Sequence, residues 1–141
     1  MPATSRSLRV PEGLGAELER EFRRRGCKDW SSGVLTLLEE ALRISRAPGI
    51  VFADAPTGRR AVVAGSGIDV WEVIASWRQL EGDYDRLRGS YDWLSEAQLR
   101  SALAYYELYP DEIDQRLARE EEWTQERTEA ELPFARSPRL D

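Results

Sequence analysis

Apolar and polar residues alternate through Ser7-Leu8-Arg9-Val10 and stop at Pro11, predicting one short strand. Leu8 and Val10 share one face of it, and Ser5, Ser7 and Arg9 share the other. The period then lengthens. Leu14, Leu18 and Phe22 recur at i, i+4 and i+8, an amphipathic helical stripe, and Gly26 after Arg23-Arg24-Arg25 supplies a left-handed stop. A second helix opens at Ser31 or Ser32, turns Val34, Leu37, Leu38, Ala41 and Leu42 to one side, and runs out near Ala47-Pro48-Gly49. Ile50–Ala53 and Arg60–Ala64 are short β runs flanking Asp54-Ala55-Pro56-Thr57-Gly58, a hairpin pattern. Beyond Gly65-Ser66-Gly67, Asp69 and Glu72 form a capping box, and Ile68 is placed to staple onto Val73. That helix has Val70, Val73, Ile74 and Trp77 on its core face and ends near Leu80-Glu81-Gly82. A short helix carries Tyr84, Leu87 and Tyr91; the next is boxed by Ser95 and Gln98 and continues through Leu99, Ala102, Leu103 and Tyr106 to Pro110. After Leu117 the apolar period fails, and the stretch from Glu120 to Arg127 is polar on nearly every face, a helix that wants a partner. The pattern predicts a mainly α fold with short β elements.

A single short strand exposes unpaired amides, and its obvious partner is the same strand from a second copy, giving a two-fold homodimer. A paired ribbon of that kind fits a DNA major groove. The order strand, Pro11, helix, Gly26 turn, Ser-initiated helix resembles the ribbon-helix-helix family of bacterial repressors and antitoxins over roughly residues 5 to 46. The resemblance implies an intertwined dimer in which Ser5, Ser7 and Arg9 read base edges. It also implies that the amino end of the second helix, Ser31-Ser32-Gly33, grips a phosphate, as backbone N–H groups and the helix dipole favour an anion there.

Composition divides the chain by charge. The net charge is −6, but residues 1 to 46 hold nine Lys/Arg against seven Asp/Glu, a balance of +2, and residues 47 to 141 hold eleven against nineteen, a balance of −8. The amino-terminal piece is therefore the plausible DNA end, and the remainder suits a protein partner. The lone Cys27 permits no intrachain disulfide, and the chain has no histidine, which removes the usual imidazole base and metal ligand. Neither a membrane-spanning run nor a secretory signal is present, so a soluble cytoplasmic protein is expected. Five tryptophans and five tyrosines provide core mass.

Ile50-Val51-Phe52, Ala64 to Trp71, Tyr91 to Leu99, Ala102 to Tyr106 and Pro110 together resemble the family called domain of unknown function 433, over roughly residues 49 to 122. The resemblance implies a helix-turn-helix-like domain similar to VapB-type antitoxins, whose partners are PIN or PIN-like ribonuclease toxins. The additional amino-terminal strand-helix-helix departs from that family. Charge argues against this module reading DNA: from Asp83 to Asp114 there are three arginines and eight acids, and Glu96 stands where a recognition helix would approach phosphate.

Other chemistry is weak. Gly65-Ser66-Gly67 lacks the third glycine of a dinucleotide fingerprint and reads as a tight turn. Asp83, Asp85 and Glu120-Glu121-Glu122 read as a solvated acidic face. No nucleophile–base constellation is visible, so no catalytic residue, metal ligand or cofactor is expected. The expected organisation is a dimerisation and DNA-binding element at 1–47, an antitoxin-like hairpin and helical domain at 48–119, and an acidic helix with an extended tail at 120–141. Trp123, Phe134, Arg136 and Arg139 are the expected toxin contacts, the arginines entering the carboxylate cluster of a PIN-type nuclease. The expected function is that of an antitoxin inhibiting a PIN-like ribonuclease toxin and binding operator DNA. The alternative is a dimeric protein-interaction module that binds no DNA.

Overall fold

The computed structural model describes residues 2–56 and 58–131. In chain order its elements are α1 (Glu12–Arg25), α2 (Trp30–Arg46), β1 (Ile50–Ala55), β2 (Gly58–Val63), α3 (Val70–Gln79), α4 (Tyr84–Ser90), α5 (Glu96–Leu108) and α6 (Pro110–Glu131). The chain is mainly helical with one two-stranded antiparallel sheet, as the patterning predicts. No described helix is long and apolar enough to cross a membrane.

Two compact units are present, Met1–Arg43 and Ile44–Asp141. Their junction lies inside α2, ahead of the expected division at residue 47, and α6 runs without a break through the expected division at 119/120.

In the first unit, α1 ends at Gly26 in the left-handed conformation, with φ 70° and its N–H donating to the Arg23 carbonyl. The one buried apolar residue described here is Phe22. It packs on Gly33 of α2 so closely that a Cβ at position 33 would lie 2.6 Å from the ring. The expected strand through Ser7–Val10 is not formed in the single chain: residues 2–11 carry no regular element, and Leu8 is 80% exposed. A strand is defined by a ladder partner, and one chain alone does not supply it.

The second unit holds the core. β1 and β2 pair from Ile50↔Val63 to Ala55↔Gly58, and an isolated bridge joins Val62 to Asp69. The alternating β2 residues Ala61 and Val63 and the first residue of β1, Ile50, turn inward onto Val70, Val73 and Ile74 of α3. Leu87 of α4, Leu99, Ala102 and Tyr105 of α5, and Ile113 and Leu117 of α6 complete the core. Both capping boxes form: the Glu72 carboxylate accepts from the Asp69 N–H at 3.0 Å, and Ser95 and Gln98 exchange bonds of 3.1 and 2.9 Å. Gly49 has φ 93°, and a Cβ there would sit 2.7 Å from the Ser101 Oγ, whose hydroxyl donates to the Pro48 carbonyl at 3.0 Å. This clasp ties the start of β1 to α5. Pro110 opens α6, a position where its missing N–H costs no intrahelical bond.

Candidate functional site

The amino-terminal residues expected to read bases, Ser5, Ser7 and Arg9, are all exposed. The expected phosphate grip is different from its sequence reading. Helix α2 begins at Trp30, one residue before the expected Ser31, because Asp29 caps it: the Ser32 N–H donates to the Asp29 carboxylate at 2.8 Å, and the Gly33 N–H donates to the Asp29 carbonyl at 3.2 Å. Hydrogen bonds from Ser32, with a contribution from Ser31, hold the Asp29 carboxyl below the usual carboxylate range. The helix dipole is thus already answered by a resident anion, so a phosphate at Ser31-Ser32-Gly33 must displace it, and Gly33 itself is buried under Phe22. The sequence signal for the cap was Asp29 itself, a preferred N-cap residue lying beside two serines that are equally preferred.

Two of the three arginines in the basic turn of α1, Arg24 and Arg25, are paired with acids of the same unit. Glu21 accepts from Arg24 at 2.6 and 3.0 Å and from Arg25 at 2.8 Å, and these bonds, Arg24 first, lower its pKa to about 2. Arg25 reaches on to Glu40 of α2 at 3.1 Å, a pair whose side chains are only 10% and 8% exposed. Sequence periodicity gives no hint of this pairing, because Glu40 lies fifteen residues away on another helix.

What the first unit does present is apolar surface. Leu35, Leu38 and Leu42 of α2, spaced i, i+3 and i+7, are 60%, 54% and 62% exposed, and Leu14 of α1 is 48% exposed. The expected stripe is therefore split. Val34 and Leu37 are half-buried, Leu38 and Leu42 are exposed, and Leu35, absent from the expected stripe, joins the exposed side.

In the second unit the residues of helix-turn-helix proportions are α4, the Tyr91 to Ser95 turn and α5. The first turn of α5 carries Glu96, which binds Arg100 at 2.9 Å and lies 3.7 Å from Arg88. Its pKa is lowered, chiefly by the bond from Arg100. Asp83 is the N-cap of α4, accepting from the Arg86 N–H at 3.2 Å. Gly65-Ser66-Gly67 is a tight turn, with φ 76° and 74° at the glycines and the Ser66 hydroxyl donating to the Val63 carbonyl at 2.7 Å.

Three polar constellations brace this unit. Asp69 accepts from Arg60 and, at 3.0 Å, from the Trp71 indole. Asp114 accepts from Arg78 and, at 2.7 Å, from the Tyr106 hydroxyl. The fully buried Tyr105 donates its hydroxyl to Glu112. Between α3 and α6 lies a groove of about 500 Å³, lined in part by Trp71, Ala75, Leu117, Glu120, Glu121 and Thr124. Arg116 lies over the Trp71 ring, 5.3 Å from its centroid, and pairs with Glu120 at 2.8 Å. Trp123, an expected toxin contact, is 62% exposed on the far part of α6. Phe134, Arg136 and Arg139 lie outside the described residues. Among the described residues, no group of three or more His, Cys, Asp or Glu is arranged to hold a metal ion.

No protein-family model matches this chain, and no curated protein matches it. Among solved structures, the crystal structure of a DUF433 member protein from Anabaena variabilis is similar, with 23% sequence identity and a TM-score of 0.43. The similarity covers 71% of this chain and 96% of that one.

Proposed function

We propose that the chain is a dimeric antitoxin that binds operator DNA through its amino-terminal unit and inhibits a PIN-like ribonuclease toxin through its acidic carboxyl-terminal unit. The observation that carries the reading is the first unit's apolar imbalance. Phe22 alone is buried among its described apolar residues, while Leu8, Leu14, Leu35, Leu38 and Leu42 are exposed. A helical pair of this size is too small to be stable by itself, and a second copy covering those leucines completes its core. In the dimer Ser7 to Val10 acquires a ladder partner, and Ser5, Ser7 and Arg9 stay on the outer face for base edges. The ribbon-helix-helix resemblance and the opposite charge of the two units agree with this division.

The second reading, a dimeric interaction module that binds no DNA, is favoured by one specific observation: Asp29 already caps α2 where the phosphate would sit. An operator gel shift at several salt concentrations separates the two. The antitoxin reading expects specific binding that weakens steeply with salt, and a loss of about 1 to 3 kcal/mol in Arg9→Ala. Affinity unchanged in both Arg9→Ala and Ser7→Ala leaves the ribbon as a dimerisation device. For the toxin half, truncation after Glu129 is expected to leave DNA binding intact and release nuclease activity from a co-expressed toxin, with Arg136→Glu doing so in part. Inhibition unchanged by the truncation moves the interface onto the helices.

A further inference from the structure

The hairpin is a sheet of two strands, so each strand has one edge with no strand beside it. Its hydrogen bonds show which residues face outward. Val63 donates its N–H away from β1, to the Ile68 carbonyl, and Ala64 donates toward β1, to the Gly49 carbonyl, each at 2.9 Å. The Ile50↔Val63 pair therefore exchanges no ladder bonds, and by the alternation of an antiparallel ladder neither do Phe52↔Ala61 and Asp54↔Arg59. The N–H and C=O groups of Phe52 and Asp54 thus lie on the outer edge of β1. At the start of that strand Ile50 is fully buried, and its N–H donates to the Ala47 carbonyl at 3.2 Å. The β2 edge is covered where Val63 meets Ile68 and Val62 bridges to Asp69. That leaves the β1 edge at Phe52 and Asp54, beside the apolar run Val51-Phe52-Ala53.

Arg59 crosses β1 to reach that edge. It stands on β2 opposite Asp54, and its guanidinium donates from one nitrogen to the Asp54 carboxylate at 2.8 Å and from another to the Phe52 carbonyl at 3.3 Å. The Arg59 side chain is 20% exposed, so it lies along the sheet and not out in water. A surface ion pair by itself adds little stability, but this one holds a charge on the very carbonyl that an added strand must bond. We propose that Arg59 is a strap that closes the edge of β1 against strand addition by a second copy of this chain. The strand that adds in its absence is β1 of the other copy, because the β2 edge is spent on Ile68 and Asp69, and an antiparallel β1–β1 pair is self-complementary about a two-fold axis. This goes beyond the antitoxin reading and does not depend on it, since neither the leucines of the first unit nor the expected toxin contacts take part.

The test follows the full chain and its Arg59 variants by sedimentation velocity and amide hydrogen exchange. Arg59→Ala removes the strap, and Arg59→Lys keeps a charge beside Asp54 without the planar fork that reaches both acceptors. Compared with the native chain at the same concentration, Arg59→Ala should form species of about twice the native mass or more, with exchange at the Phe52 and Asp54 amides slowed about tenfold as they enter a new ladder. Arg59→Lys should do the same more weakly. Adding Asp54→Pro to Arg59→Ala should restore the native mass, since a proline there gives up an outward N–H and no bond to β2. Fast exchange at Val51 and Ala53, whose amides bond β2, identifies a variant whose hairpin has opened; Arg59→Lys then decides. Native mass with unchanged exchange at Phe52 and Asp54 in a variant whose hairpin is intact overturns the proposal. So does association that Asp54→Pro leaves in place, which puts the contact somewhere other than the β1 edge.

Discussion

If the chain forms the proposed dimer, replacing Leu35, Leu38 and Leu42 together by serine should separate it without touching the contact between α1 and α2. The three side chains are 60%, 54% and 62% exposed in the single chain, so each retains more than half of its apolar area for a partner. Full burial of a leucine is worth about 1.5 to 3 kcal/mol, which leaves about 1 kcal/mol per residue at these exposures. Three leucines on each of two protomers give about 6 kcal/mol, or about four powers of ten in the dimer dissociation constant. Sedimentation equilibrium over a range of concentrations measures it directly. Far-ultraviolet circular dichroism on the same samples reports the coupled loss of α1 and α2 helix expected when so small a unit stands alone. A dissociation constant unchanged within about threefold, or a native chain that stays monomeric, refutes the reasoning and leaves the exposed stripe without the role given to it.

Three further outcomes follow from local geometry. Glu21 is expected to titrate near 2 by carbon-detected NMR, and its midpoint should rise toward 4.5 in Arg24→Gln, because the Arg24 bond is the largest cause of the depression. A depressed carboxylate stabilises the fold fully above its unfolded value, so this contribution should vanish as pH falls from about 4.5 toward 2 and not at neutral pH. Gly33→Ala places a methyl 2.6 Å from the Phe22 ring and should cost about 1 to 3 kcal/mol in thermal unfolding of the first unit, with Phe22→Leu partly restoring it; a neutral Gly33→Ala contradicts the close packing. Leu99→Ala removes a fully buried α5 side chain and should lower the second unit's stability by about 2 to 5 kcal/mol in urea denaturation, whereas Trp93→Ala, at a residue 59% exposed, should cost far less.

Periodicity alone determined most of the secondary structure. The stripes of α1, α3 and α5 and both capping boxes are local, because residues within four positions of each other supply the signal, and the hairpin follows from two β runs flanking one turn. The end of α1 at Gly26 and the end of α3 at Leu80 with its left-handed Glu81 and Gly82 are equally local. Register at the start of α2 was less determined, since Asp29, Ser31 and Ser32 are each good caps and only the geometry chose Asp29. The stretch from Glu120 to Arg127 was legible as a helix, but its union into one helix with the segment that opens at Pro110 was not, because past Leu117 there is no apolar period to carry the register across. Which leucines of the first unit face inward was beyond the sequence altogether. A stripe says that a face is apolar, but the small Gly33 let Phe22 close onto one flank of α2 and left Leu35, Leu38 and Leu42 outside. The pairing of Arg25 with Glu40, the Tyr105 hydroxyl on Glu112, and the guanidinium of Arg116 on Trp71 all join different elements. Chain order carries charge and period, but only packing brings a cation from one helix onto the indole of another.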